Sequence, residues 1–165
     1  MDYYDDAKNE DQYTKMAEGY DGALLIEALR QYLPKGASVL ELGMGPGKDL
    51  RLMQAHFTVT GSDASALFVT RFQERHPDAD VMQLDAVTLA TKRRFDALYS
   101  NKVLYHLTRD QLEQSLENQW RVLKSGGIAL HSFWYGEGEE QMHGLHFAYY
   151  TEDQLRALAE PRFEV

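Results

Sequence analysis

Short apolar runs alternate with stretches of helical periodicity along most of the chain. Runs of this kind are typical of strands buried on both faces, and the periodic stretches between them fit crossover helices. The pattern predicts an α/β, Rossmann-like fold with a mostly parallel twisted sheet and helices on both faces. The five predicted strands are Ser38–Leu42, Thr58–Ser62, Asp80–Leu84, Phe95–Ser100 and Gly127–Trp134. The helices predicted between and after them are Lys48–Ala55, Ala64–Arg75, Arg109–Lys124 and Thr151–Glu160.

The two ends of the chain differ from this repeating pattern. Residues 1–19 are polar and rich in tyrosine, which suggests a lid segment, and a helix over 20–34 follows, with a leucine at every fourth position. A last apolar run begins at Arg162 and stops with the chain at Val165. We therefore expect a single domain over 1–165, whose core over 38–165 lacks its C-terminal strands.

Composition narrows the class of protein. The 165 residues include no cysteine, and 17 Lys and Arg face 26 Asp and Glu, for a net charge of −9. The lack of cysteine excludes disulfides and thiolate chemistry and suits a reducing compartment. The negative charge disfavours phosphate backbones and anionic membranes, and no apolar run approaches the ~18 residues of a membrane span. We expect a cytoplasmic protein with no nucleic-acid and no membrane partner.

The strongest chemical signal is a glycine-rich turn after the first strand. The segment Val39–Gly47 reads as a strand that breaks into a turn and then starts a helix at Lys48. Glycines there let the backbone approach a ligand closely. A dinucleotide-binding fingerprint would need a third glycine at position 48, where the chain has lysine. Asp63 closes the second strand, in the place where an acid can bind ribose hydroxyls.

With the acids after the next two strands, this turn resembles the class I S-adenosylmethionine-dependent methyltransferases, over essentially the whole chain. Glu41 and the three glycines match the family pattern (D/E)-x-G-x-G-x-G without a gap. The resemblance implies S-adenosylmethionine as cofactor, with the glycine turn against its methionine part and Asp63 on its ribose. Asp85 with Ala86 would border the adenine, and Ser100 with Asn101 would line the floor between cofactor and substrate. The implied cofactor-binding residues are Glu41, Gly43, Gly45, Gly47, Asp63, Ala64, Asp85, Ala86, Ser100 and Asn101.

Methyl transfer from a sulfonium mainly requires alignment of the reacting atoms and exclusion of water. Aromatic faces can hold the cation, and the candidates are Tyr4 and Tyr13 of the lid segment and Tyr20 directly after it. We count Tyr13 and Tyr20 among the cofactor-binding residues. An oxygen or protonated amine acceptor also needs a base. The catalytic residue stays unassigned, with His106 as the candidate, and no metal site is predicted.

Elimination favours a small-molecule acceptor. Amino-methylating enzymes that act on adenine or glutamine carry an Asn-Pro-Pro-Tyr sequence after the fourth strand, and this chain does not. It also lacks the nucleophilic cysteine that cytosine-C5 methylation needs. Two alternatives stay open, namely an NAD-dependent oxidoreductase and a catalytically silent cofactor-binding or scaffold module. The oligomeric state is not predicted.

Overall fold

The fold is taken from a computed structural model that describes residues 6–17, 19, 22–142 and 144–165. Its main sheet has five parallel strands in the order β3-β2-β1-β4-β5. These strands are β1 (Ser38–Leu42), β2 (Thr58–Asp63), β3 (Val81–Gln83), β4 (Phe95–Ser100) and β5 (Leu123–His131). The predicted α/β class with a mostly parallel sheet is therefore confirmed.

Six α-helices are described, and three of them connect strands of the main sheet. They are α1 (Ala7–Ala17), α2 (Ala23–Tyr32), α3 (Lys48–Met53), α4 (Ala66–Arg75), α5 (Arg109–Val122) and α6 (Glu152–Ala159). A 3-10 turn spans Leu104–His106, and a separate antiparallel hairpin is formed by β6 (Glu139–Met142) and β7 (Leu145–Ala148). Thr108 with Gln111, and Thr151 with Gln154, form capping boxes that start α5 and α6.

The core lies on both sides of the central strands. Val39 and Ala97 belong to the apolar cluster on the side of α2 and α3, whereas Leu40 and Leu98 belong to the cluster on the other side. All four are fully buried. The strand order reverses between β1 and β4, and ligands of such sheets bind at the carboxyl ends of the strands at this point.

Three parts of the structure differ from the sequence prediction. The fifth strand begins at Leu123 and ends at His131, not at Gly127 and Trp134, because α5 runs directly into β5 without a turn. The polar N-terminal segment contains helix α1, and the segment after β5 contains the β6–β7 hairpin. The sequence of each of these two segments lacks a regular pattern of apolar positions. All four residues of β6 are exposed, which explains why that strand carries no such pattern. Within the described residues no helix is both long and apolar enough to cross a membrane.

Candidate active site

The glycine turn is held against two neighbouring segments. Gly43 and Gly47 have φ angles of 67° and 81°, in the left-handed region that favours glycine. A Cβ atom on Gly43 would lie 2.6 Å from Val103, and one on Gly47 would lie 2.1 Å from the ring of Phe72. Side chains at these positions would therefore push the turn out of its place between α4 and the segment after β4.

Asp63 fastens the end of β2 to the glycine turn. One carboxylate oxygen accepts a hydrogen bond from the Gly45 amide at 2.9 Å, and the other accepts one from the Ser65 amide at 2.9 Å. The Leu84 amide donates to the Asp63 carbonyl at 2.9 Å, so Asp63 and Asp85 follow neighbouring strand ends. The structure thus brings together the glycine turn and both predicted acids.

Asp85 and Ala86 form the turn after β3. The Asp85 side chain accepts hydrogen bonds from the amides of Val87 (2.9 Å) and Thr88 (2.7 Å), and Asp85 itself is exposed. The Ala86 carbonyl accepts a hydrogen bond from the Ser115 hydroxyl at 2.6 Å, which fixes the turn to α5. The backbone of this turn is therefore fixed by the Asp85 side chain and by the Ser115 hydroxyl.

Glu41 is a buried acid without a hydrogen-bond partner at one oxygen. It is 3% exposed, and its Oε2 atom has no partner within the described part of the chain. Burial raises the pKa of Glu41 well above its usual value, and the nearby carboxylates of Asp49 and Asp63 raise that pKa further. Three acids therefore lie close together around the glycine turn, and at least one of them has unsatisfied hydrogen-bonding capacity.

Sequence reasoning missed a buried acid, Asp49, in the first turn of α3. Its Oδ1 accepts a hydrogen bond from the Gly22 amide at 2.7 Å. Its Oδ2 accepts two more, from the Tyr99 hydroxyl at 2.8 Å and from the Asn101 amide nitrogen at 3.0 Å. An acid in the first turn is typical of any helix start, so the sequence carried no sign that this one points inward.

Ser100 and Asn101 leave β4 toward different partners. The Asn101 side chain bonds to Asp49 and also accepts a hydrogen bond from the Ser132 hydroxyl at 2.9 Å. The Ser100 hydroxyl is fully buried and lies 2.8 Å from His131 Nδ1. Of the two predicted floor residues, Asn101 is the one whose side chain reaches the acids beside the glycine turn.

His106 lies after β4 in an aromatic environment. Its Nδ1 lies 2.8 Å from the carbonyl oxygen of His146. Because a carbonyl only accepts, Nδ1 carries the proton and Nε2 is left with a lone pair. Desolvation lowers the pKa of His106 in spite of the hydrogen bond to His146, which raises it. The rings of Tyr105 and Phe147 lie 4.4 and 4.7 Å from the imidazole, centroid to centroid.

Comparison with known proteins identifies the family. The family described as "Methyltransferase domain" matches residues 39–127, which is more than half of the chain. The chain belongs to this methyltransferase family. The match covers β1 to β4, α5 and the first part of β5, and thus the glycine turn, Asp63, Asp85 and Asn101.

Curated relatives of this methyltransferase domain act on different kinds of molecule. The tRNA (carboxymethyluridine(34)-5-O)-methyltransferase of Arabidopsis thaliana is 33% identical over 117 residues, which are 70% of this chain and 28% of the relative. The dTDP-3-amino-3,6-dideoxy-alpha-D-glucopyranose N,N-dimethyltransferase of Streptomyces fradiae is 31% identical over 123 residues, 71% of this chain and 48% of the relative. The chain thus spans less than half the length of each of these two relatives.

Solved structures show the same fold. A TehB-like S-adenosylmethionine-dependent methyltransferase from Corynebacterium glutamicum superposes with a TM-score of 0.73 at 24% identity, covering 94% of this chain and 83% of its own. The sugar N-methyltransferase KedS8 from Streptoalloteichus sp superposes with a TM-score of 0.76 at 16% identity, covering 92% of this chain and 83% of its own. The fold is therefore that of the S-adenosylmethionine-dependent methyltransferases.

Some predicted residues fall outside the structural description. Tyr4 and Tyr20 lie outside the described residues, and Tyr13 lies in α1 without a described side chain. The lid and its two proposed cofactor-binding tyrosines stay predictions. Within the described residues no group of three or more His, Asp or Glu side chains is arranged to hold a metal ion.

Proposed function

We propose that this methyltransferase domain transfers a methyl group from S-adenosylmethionine to a small-molecule acceptor. The observation that carries the proposal is the buried Glu41 carboxyl, which has two acidic neighbours and one oxygen with no partner among the described residues. A cationic ligand would supply the positive charge that this group of acids lacks, because an opposite charge stabilises a buried carboxylate. S-adenosylmethionine carries a sulfonium and an ammonium group. The pyrophosphate of NAD would instead be repelled, which argues against the oxidoreductase alternative.

The residues that would hold the cofactor lie along the ends of β1, β2 and β3. Glu41 and the glycine turn would face its charged methionine part, Asp63 its ribose, and the Asp85–Ala86 turn its adenine. When bound, the cofactor supplies an electrophilic methyl group on a sulfonium, and this leaving group needs no acid. The work left to the chain is to align the acceptor, exclude water and accept a proton where the acceptor releases one.

His106 is the proposed base for an acceptor that carries a proton. Its Nδ1–H is held by the His146 carbonyl at 2.8 Å, so the Nε2 lone pair is the atom that would take the proton. The lowered pKa keeps the imidazole neutral and ready to accept at neutral pH. Tyr105 and Phe147 reduce the access of water to the ring.

For the acceptor itself we propose a small polar molecule with an amine or hydroxyl group. The amino-sugar methyltransferase from Streptomyces fradiae, at 31% identity, supports this class. The relative from Arabidopsis thaliana acts on tRNA, whereas the net charge of −9 opposes binding of a nucleic acid. A cytoplasmic location stays a prediction from the sequence.

Calorimetric titration tests the cofactor. We expect S-adenosylmethionine and S-adenosylhomocysteine to bind and NADH not to bind. Methyl release should then exceed background hydrolysis with at least one member of a panel of nucleotide-linked amino sugars, free amines, hydroxylated metabolites and tRNA. Binding of NADH alone would contradict the proposal, turnover with tRNA alone would replace the acceptor class, and binding without turnover on any acceptor would favour the silent module.

The variant His106→Gln tests the base. Loss of a general base is expected to lower kcat about 100-fold or more, with the affinity for S-adenosylhomocysteine unchanged. The matched control is His56→Gln, since His56 lies beside the amino ends of β1 and β2, away from the site. Equal kcat values for the two variants, measured with the best acceptor of the panel, would remove His106 from the mechanism.

A further inference from the structure

The carboxylate of Asp49 joins three separate segments of the proposed site. It is 8% exposed and accepts hydrogen bonds from Gly22 before α2, Tyr99 in β4 and Asn101 after β4. Hydrogen bonds to an ionised acceptor are stronger than neutral ones. Loss of the carboxylate would leave three buried or half-buried donors without their partner, which is costly. The positions of these three segments therefore depend on the same group.

The segment that enters α2 can approach this carboxylate because residue 22 is glycine. A Cβ atom there would lie 2.0 Å from the Tyr99 hydroxyl oxygen and 2.3 Å from Asp49 Oδ2. Gly22 is the N-cap residue of α2 and has no side chain with which to cap the helix. Its own amide is instead satisfied by Asp49 at 2.7 Å. The start of α2 is thus held directly on the Asp49 side chain.

The same carboxylate decides which way the Asn101 amide points. The Ser132 hydroxyl accepts a hydrogen bond from the Lys102 amide at 2.8 Å and donates to Asn101 Oδ1 at 2.9 Å. Asn101 Nδ2 then donates to Asp49 at 3.0 Å. Reversal of the amide would place its oxygen against the carboxylate oxygen. Asp49 therefore favours the observed orientation.

We propose that Asp49 is a positioning residue for methyl transfer, which holds the segment entering α2 and the Asn101 amide in one arrangement beside the glycine turn. This inference rests on the proposed function, because it assigns Asn101 to the floor between cofactor and acceptor. Asp49 follows Gly47 by two residues and so connects the cofactor side of the site to β4. Misplacement of reacting groups by small distances is expensive in this kind of chemistry.

The variant Asp49→Asn, with Tyr99→Phe as its control, tests this role. Asparagine in place of Asp49 sets an NH₂ group against the NH₂ group of Asn101 or loses the bond to Gly22, so the Asn101 amide must turn or Gly22 must move. We expect kcat to fall and the Kd for S-adenosylhomocysteine to rise, each about tenfold or more. Tyr99→Phe removes a donor from the same Oδ2 atom but leaves the Asn101 amide and Gly22 in place, so its kcat and Kd should stay near wild type.

Two further variants keep the test decisive if Asp49→Asn does not fold. Asp49→Asn combined with Asn101→Asp reverses donor and acceptor between the two positions and should recover thermal stability and part of the cofactor affinity. Gly22→Ala leaves the charges unchanged but should displace Gly22 and the start of α2 from Asp49, which would weaken S-adenosylhomocysteine binding. Wild-type affinity for S-adenosylhomocysteine in Gly22→Ala would overturn the inference.

The outcomes separate this inference from the proposed function. If the wild-type protein binds neither S-adenosylmethionine nor S-adenosylhomocysteine, the proposed function fails. If the wild type binds and turns over, but Asp49→Asn and Tyr99→Phe lose kcat and affinity equally, Asp49 is structural and only the positioning role is overturned.

Discussion

Tyr99 and Ser100 follow one another in β4, and their side chains enter two hydrogen-bond networks of different kinds. Successive side chains of a strand point to opposite faces of the sheet. On the α3 face, Tyr99 donates to the carboxylate of Asp49. On the α5 face, the Ser100 hydroxyl bonds to the ring of His131. One face is therefore organised around acids and the other around neutral groups.

The network on the α5 face is a directed chain that satisfies itself. His131 Nε2 lies 2.8 Å from Gln119 Oε1, Gln119 Nε2 donates to the Ser115 hydroxyl at 3.0 Å, and Ser115 donates to the Ala86 carbonyl at 2.6 Å. An amide oxygen only accepts, so Nε2 of His131 carries the proton and Nδ1 accepts from Ser100. Burial lowers the pKa of His131 to about 4, which keeps the ring neutral at physiological pH. The ring of His131 is therefore a buried group with a partner at each nitrogen.

The acidic face has a carboxyl group able to bind a ligand, whereas the neutral face only supports the structure. The acidic face contains Glu41, one oxygen of which has no partner in the described part of the chain, whereas the network from Ser100 to Ala86 has a donor for every acceptor. A site that must take up a cation benefits from unsatisfied negative groups, and a scaffold does not. The two faces should also respond to pH in opposite directions, which gives a way to tell them apart.

Replacement of the unpartnered acid is expected to have the largest effect. Glu41→Gln removes the charge that faces the proposed cationic cofactor, so affinity for S-adenosylmethionine should fall about 10-fold to 100-fold. The free energy of unfolding at neutral pH should rise, because a buried and repelled charge is no longer required. Calorimetry and urea unfolding between pH 5 and pH 8 measure the two effects.

The pH trend of Glu41 follows from its raised pKa. The unfolded chain loses this proton near 4.5 and the folded protein only at higher pH, so the folded state binds more protons between the two values. The contribution of Glu41 to stability is therefore lost as pH rises through that window, and Glu41→Gln should remove the loss. Glu113→Gln on the exposed face of α5 is the control. Equal affinity and equal pH dependence in both variants would refute a role for Glu41.

The sequence predicted which residues lie at the strand ends better than it predicted the side-chain contacts among those residues. Strands Ser38–Leu42 and Phe95–Ser100 have the predicted bounds because central parallel strands read as continuous apolar runs. The start of β5 was misplaced, since Ser125-Gly126-Gly127 looks like a turn but lies within the strand, where Gly126 has a φ of 73° and the register with β4 is irregular.

Side-chain direction could not be deduced in the same way. An acid in the first turn of a helix is normally solvated and stabilises the helix end, so Asp49 had no distinguishing pattern. The hairpin that places His146 and Phe147 beside His106 joins residues 40 positions apart, a contact that local periodicity does not encode. The glycine turn was found because its spacing is itself local.

Replacement of His131, the central residue of the neutral network, should have a smaller effect than replacement of Glu41. This effect should be confined to stability. His131→Gln is expected to lower the free energy of unfolding at pH 7 by about 1–3 kcal/mol, because Ser100 and Gln119 lose their hydrogen bonds to the ring. The folded-state pKa of His131 is lowered from 6.5 to about 4, so the wild type should lose stability as pH falls through this interval, and the variant should not. Urea unfolding at pH 4.5, 5.5 and 7 measures both effects.

Cofactor affinity should distinguish the two faces of the sheet. His131→Gln should bind S-adenosylhomocysteine nearly as well as the wild type, in contrast to Glu41→Gln, with His56→Gln as the control for loss of a histidine. A fall in affinity as large as that of Glu41→Gln would mean that the neutral face also takes part in binding.

The smallest change in pH dependence is expected from a charge placed inside the neutral chain. Gln119→Glu keeps an oxygen for His131 Nε2–H but adds a negative charge, which should raise the pKa of His131 from about 4 toward its ordinary value. The loss of stability between pH 6.5 and pH 4 should then become shallower. At pH 7 a carboxylate at this fully buried position loses its hydration, so the variant should be less stable than the wild type there, and only the pH trend reports on His131. An NMR titration of the His131 ring measures the pKa, with Gln114→Glu on the exposed side of α5 as control. An unchanged or lower pKa in Gln119→Glu would show that Gln119 does not accept from His131, and the directed neutral chain would have to be abandoned.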